Sequence, residues 1–194
     1  RHYADEDLDR DIAYAAAVSN SSPLIHLSLI GRIGLLRRFS TVWIPPAVWQ
    51  EVVEQGGDRP GTTEIRAARE SGWLRVVEPS NSALVRLLKQ ELHTTGTVNS
   101  SLSGKFQFAV GEAESIVLAI ETRPDVLLLD EAEARRIAGL YDLPVTGTIG
   151  LLIQAKREGL VLSLAEEMDR LREQGHFWIH DDLYRRVLEE EKER

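Results

Sequence analysis

The sequence predicts an α/β fold in three layers, a parallel sheet with helices on both faces. Three observations carry this. Short β-rich runs alternate with helical patterns along the chain. Apolar residues make up 43% of the 194 residues, enough to bury a sizeable core, and that length fits one elaborated domain. No repeat recurs at the periods of stacked-repeat proteins.

The elements follow in order. Residues 1–12 hold five acids between Asp5 and Asp11 and read as a solvated lead-in. Ala13 to Ser19 (AYAAAVS) reads as a buried strand. Ser22-Pro23 opens a helix, since Ser caps well and Pro fits the first helical position. A second helix is expected from Ile33 to Phe39, and Thr41 to Ile44 (TVWI) is a strand that stops at Pro45-Pro46. Pro46 to Gln55 is helical and ends at Gly56-Gly57. A helix from Thr62 to Ser71, a strand from Leu74 to Val77 and a helix from Ser82 to Leu92 follow. Residues 93–110 are rich in Ser, Thr, Gly and Asn in their first half and read as a long mobile loop. Glu112 to Glu121 is a helix, Val126 to Leu129 (VLLL) a buried strand, Glu131 to Leu140 a helix and Pro144 to Thr146 a short strand. Thr148 to Arg157 and Leu164 to Glu173 are helices, Phe177 to Ile179 an edge strand, and Asp181 to Glu193 a closing helix. Residues 161–194 are expected to form a helical extension packed on a domain of residues 13–160; a dimer or partner contact is the alternative.

Several classes are excluded. Lys and Arg number 23 against 31 Asp and Glu, a net charge of −8, which argues against non-specific coating of nucleic acid but leaves room for a local basic groove. Arg32, Arg37, Arg38, Arg135 and Arg136 are candidates for such a groove, or else ordinary solvated helix faces. There is no cysteine, so no disulfide framework, thiolate metal site or cysteine nucleophile. No apolar run reaches the ~18 residues of a membrane span. The opening residues lack a signal or transit pattern, so a cytoplasmic protein is expected. The dinucleotide GxGxxG, the phosphate-binding GxxxxGK[ST], HExxH and GxSxG are all missing.

In parallel sheets ligands bind beyond the carboxyl ends of the strands. That rule singles out Asn20 after the first strand, Asp130 after VLLL, and Thr146-Gly147-Thr148 after the last. Carboxylates without His or Cys suit a hard cation, Mg²⁺ or Mn²⁺, which can activate water for phosphodiester hydrolysis. Asp130 reads equally well as a ligand or as the N-cap of the next helix. Glu112 and Glu114 flank the apolar stripe Ala113, Ile116, Val117, Ile120 on opposite sides, so only one of them readily faces a shared site, and periodicity does not choose. Glu51 lies off the stripe Val48, Trp49, Val52, Val53 and reads on pattern alone as a solvated acid. His26, in an apolar stretch, reads as a packed core residue.

Together VSNSSPLIHL (18–27), IPPAVWQEVV (44–53), GEAESIVLAIE (111–121), LLLDEAEARR (127–136) and VTGTIGLL (145–152) resemble the PIN-domain family, the metal-dependent ribonuclease fold of many prokaryotic toxin components. The nearest likeness is to a subfamily of PIN-type nucleic-acid-binding proteins. The resemblance implies a five-stranded parallel sheet and Mg²⁺ or Mn²⁺ as cofactor. It also implies RNA phosphodiester hydrolysis, a small antitoxin protein as partner, and a homodimer. Its acids fall on Asn20, Glu51, Glu114 and Asp130, as both metal ligands and catalytic residues, with Ser22, Glu112, Glu131 and Thr148 as outer members. It favours Glu114 over Glu112. The family pattern has Asp where this chain has Asn20, whose amide oxygen still coordinates but carries one charge fewer. That departure makes an inactive RNA- or protein-binding module the alternative to a weakened nuclease. A receiver-type phosphotransfer domain would need an acid cluster after the first strand and a late Lys, and has neither.

Overall fold

Five apolar runs pair into one all-parallel sheet: β1 (Ala16–Ser19), β2 (Thr41–Ile44), β3 (Leu74–Val76), β4 (Val126–Leu128) and β5 (Val145–Thr146), in the order β3-β2-β1-β4-β5. The structure is a computed structural model and describes residues 15–95, 102–175 and 177–193. The acidic lead-in, the first two residues of the expected opening strand and residues 96–101 lie outside the described residues.

Helices cover both faces, as the sequence predicts. They are α1 (Ser21–Leu29), α2 (Pro46–Trp49), α3 (Thr62–Glu70), α4 (Ser82–Thr95), α5 (Leu102–Thr122), α6 (Ala132–Leu140), α7 (Thr148–Arg157), α8 (Leu164–Glu173) and α9 (Asp181–Glu190). Side chains alternate across a strand, so the central strands β2, β1 and β4 each feed two cores. Ala17, Val42, Ile44, Leu74 and Leu128 point to a core shared with Leu24 and Leu27 of α1, Ile65 of α3, Leu151 of α7 and Met168 of α8. Val18, Leu127 and Leu129 point to the other, with Leu88 of α4, Ile116 of α5 and Ile137 of α6.

Four expectations need correction. α1 starts at Ser21 with Asn20 in the N-cap position, one residue earlier than Ser22-Pro23 suggested, and the Asn20 side chain makes no capping bond. The single helix expected from Pro46 to Gln55 is α2 followed by a π-helical turn, Gln50–Glu54, closed by the Gln55 N–H on the Gln50 carbonyl at 2.8 Å. Residues 102–110, read as loop, belong to α5; the Ser, Thr and Asn that suggested a loop lie mostly before them. Phe177 to Ile179 pairs with no strand. It runs against α8, with Phe177 N–H on the Leu171 carbonyl and Arg172 on the Ile179 carbonyl.

The C-terminal helices share the first core. Leu164, Met168 and Leu171 are fully buried there. Arg32 donates to Glu167 at 2.6 Å, and Glu193 accepts the first amides of α8, Leu164 at 2.7 Å and Ala165 at 3.0 Å. Truncating a fully buried, unbranched side chain leaves a cavity. Met168→Ala is therefore expected to lower the unfolding free energy by about 3 kcal/mol in urea, with a single transition shared by the whole chain.

Candidate functional site

The sheet changes direction between β1 and β4: strands wind outward to β2 and β3 on one side and to β5 on the other. Their carboxyl ends lie side by side, with Ser19 in register with Leu128 and the Asn20 N–H on the Leu128 carbonyl at 3.1 Å. Ligands favour such a switch point.

On the β1 side, Asn20 is 4% exposed, and its Oδ1 is buried without a hydrogen-bond partner among the described residues. Ser21, the first residue of α1, donates from Oγ to Glu51 Oε2 at 2.5 Å. Glu51 sits in the π-helical turn, a distortion often found at functional sites. Gly111 in α5 lets these groups approach, since a Cβ there would lie 3.2 Å from Asn20 Oδ1 and 3.8 Å from Glu51 Oε2. Glu112 follows it and is 9% exposed.

On the β4 side, Asp130 does not cap α6; Glu131 holds that N-cap position. Asp130 instead accepts two bonds from the first residue of α7: Thr148 N–H on Oδ1 and Thr148 Oγ on Oδ2, each 2.7 Å. His26 Nδ1 lies 2.8 Å from the same Oδ2, and its ring meets Phe177 edge-on with centroids 4.6 Å apart. Gly147 makes room for this anchor, because a Cβ there would lie 2.8 Å from Asp130 Oδ1 and 3.1 Å from the Leu129 carbonyl.

Burial sets the electrostatics. It pushes the Glu112 carboxyl up to about 8, helped by the nearby charges of Glu131 and Glu51. It also raises Glu51, opposed by the Ser21 hydroxyl and by Arg59. Acids crowded together out of water, beside an unpartnered amide oxygen, are short of positive charge, because Arg59 does not offset the effect of burial on Glu51. An all-oxygen set suits a hard divalent cation. Among the described residues, no three carboxylates or imidazoles stand close enough together to hold an ion as placed. Asn20, Glu51 and Glu112 form one group, and Asp130, Thr148 and His26 the other.

The remaining candidates divide between the site and its surroundings. Glu114, which the resemblance favoured, accepts the Ala47 N–H on Oε2 at 3.0 Å, and burial raises its pKa. Ser22 is half-buried, and it is Ser21 that reaches Glu51. Glu131 is exposed and acts on Glu112 through its charge. Thr148 is central as the partner of Asp130. The arginines are largely engaged: Arg32 pairs with Glu167, Arg38 with Glu158, Arg136 with Glu133, and Arg37 lies over Trp73. Sequence reasoning missed Ser21 and set His26 in the core. The only signal for His26 was its place on the helix that follows the strand beside VLLL.

Glu112 has a pH consequence. A carboxyl held at about 8 in the fold and near 4.5 unfolded stabilises the fold below the lower value. That stability is lost as pH rises through the higher one. Without divalent ions, Glu112→Gln should flatten the fall in stability between pH 5 and 9. At high pH it should gain roughly 3–5 kcal/mol, read by urea unfolding in a chelator.

A family profile described as PIN domain matches residues 16–193, from β1 past the end of α9. Comparison with curated proteins finds no significant relative. PIN domains share a nuclease fold and generally depend on divalent metal. The profile spans nearly the whole chain, the five-stranded parallel sheet agrees with it, and the chain belongs to the PIN-domain family.

Proposed function

We propose that the protein is a divalent-metal-dependent endoribonuclease whose ligands are Asn20, Glu51, Glu112 and Asp130. The supporting observation is the buried, unpartnered Oδ1 of Asn20 beside two acids whose pKa values burial has raised. Such an arrangement calls for a cation. Glu112 replaces Glu114 in this reading because Glu112 shares its surroundings with Glu51, while Glu114 is tied to Ala47.

A bound Mg²⁺ or Mn²⁺ would acidify a water and offset charge on the phosphoryl oxygens. The chain's own residues hold that arrangement. Thr148 and His26 fix the plane of Asp130, and Ser21 fixes Glu51. Burial holds the Glu112 carboxyl up to about 8, so it carries its proton near neutral pH, and a cation bound beside it would favour the ionised form. Asn20 supplies an oxygen without charge, so the site binds the cation more weakly than an Asp would allow.

RNA as substrate, a toxin role with a small antitoxin, and self-association rest on the resemblance to toxin ribonucleases. A small neighbouring reading frame with a DNA-binding start would support the toxin role. The binding-module reading draws on Asn20 alone.

The test is Mn²⁺-dependent cleavage of structured and unstructured RNA. Asp130→Asn is expected to cost at least about 100-fold in rate, since it removes a ligand charge that other groups hold in place. Asn20→Asp is expected to raise Mn²⁺ affinity about 10-fold, measured by calorimetry. Equal cleavage by the parent and Asp130→Asn would place the chemistry elsewhere. RNA binding without cleavage, unchanged by Asn20→Asp, would favour the binding module.

A further inference from the structure

On the opposite side of α5 from Glu112, an open cavity of about 420 Å³ is lined by Ala47, Trp49, Glu54, Arg69, Val76 and Glu114. It lies at the edge of the proposed nuclease site because the same two elements build both. α2 carries Trp49 into the cavity and continues into the π turn that holds Glu51. α5 presents Glu112 to one side and Glu114 to the other.

The lining has two distinct parts. One is a flat, cationic face: the Arg69 guanidinium lies over the Trp49 indole, 4.4 Å from its centroid, and Arg69 makes no ion pair among the described residues. A guanidinium plane backed by an indole is a surface on which a nucleobase stacks. The other is a hydrogen-bond acceptor. Glu114 Oε2 takes the Ala47 N–H, while Oε1 has no hydrogen-bond partner among the described residues. A carboxylate offers about four acceptor positions, and the Ala47 amide uses one.

The charge balance selects the ligand. Two carboxylates, Glu54 and Glu114, line the cavity with one guanidinium, and the charges of Glu78 and Lys89, which also act on Glu114, oppose each other, so a phosphate is poorly accommodated. An uncharged aromatic ring with N–H donors on its edge suits both parts. Guanine presents adjacent N1–H and N2–H donors to a carboxylate, whereas the carbonyls flanking the uracil N3–H would be repelled.

We propose that this cavity is a nucleobase subsite for single-stranded RNA, with Arg69 and Trp49 as its stacking face and Glu114 reading a guanine edge. The assignment of RNA rests on the nuclease reading. A strand seated here would lay its neighbouring phosphodiester across α2 and α5 toward Glu51 and Glu112.

The experiment measures fluorescence anisotropy of two labelled RNA hexamers in a chelator, so that no cleavage intervenes. One carries a single guanine among uridines; the other is all uridine. The parent protein is expected to bind the guanine hexamer about 10-fold more tightly. Glu114→Gln keeps an acceptor for the Ala47 amide but adds a donor, and should bring the preference below about 2-fold. Arg69→Ala, at an exposed position, should weaken both hexamers about 5- to 10-fold. Circular dichroism melting confirms that each variant is folded. Equal affinity of the parent for the two hexamers, binding of neither, or a preference that survives Glu114→Gln would overturn the proposal. A parallel Mn²⁺ cleavage assay separates the two readings. Guanine preference without cleavage leaves the subsite standing and removes the nuclease. Cleavage without base preference does the reverse.

Discussion

Charged and polar side chains crowd out of water where β1 and β4 end, and much of the surrounding structure answers that constraint. Two turns beside this point are short: one residue separates β1 from α1, and one separates β5 from α7. Helices that start so abruptly bring unpaired first-turn amides into a dry region. Asp130 satisfies one such start by taking the amide and hydroxyl of Thr148. Asn20 stands at the other and leaves its own oxygen unpaired. Gly111 and Gly147 exist where any side chain would push these groups apart. The fold thus holds an unbalanced polar centre in place, and a cation is the simplest group that balances it.

The net charge of −8 looks unsuited to nucleic acid, and the structure sharpens the problem. Arg32, Arg38, Arg136 and Arg157 are joined to glutamates and serve to tie helices together or to stiffen them. Those four arginines are therefore not free to form a broad basic surface. A contact through a few groups in fixed geometry asks less of the net charge and depends weakly on salt. Arg69, held on an indole and not on an acid, is suited to that kind of contact.

The strands and the layer order were legible because burial leaves a simple mark. VLLL and TVWI are short, apolar and bounded by turns, and the positions after them were candidates before any contact was known. What was hidden depends on pairing between distant segments. Whether Glu112 or Glu114 faces Glu51 depends on how α5 is rotated against α2, and an apolar stripe with an acid on each side permits both. Asp130 caps a helix that starts 18 residues later, not its neighbour, which no local pattern encodes. His26 and Phe177 meet across most of the chain's length. The start of α5 was missed for another reason: a run of small polar residues masked the sequence just beyond it.

The π-helical turn at Gln50–Glu54 carries a consequence for how such a site arises. Wider winding inserts the equivalent of one residue into a helical turn and shifts the phase of everything beyond it by roughly 100°. Val48 is in the core before the turn, and Val52 and Val53 reach the same core from within it. Glu51 shares the turn with them and reaches Ser21 instead. Deleting one residue there would restore an ordinary α-helix with better hydrogen bonds, and would swing the carboxylate out of reach of Ser21. A site of this kind lies one residue away from a more regular helix without it.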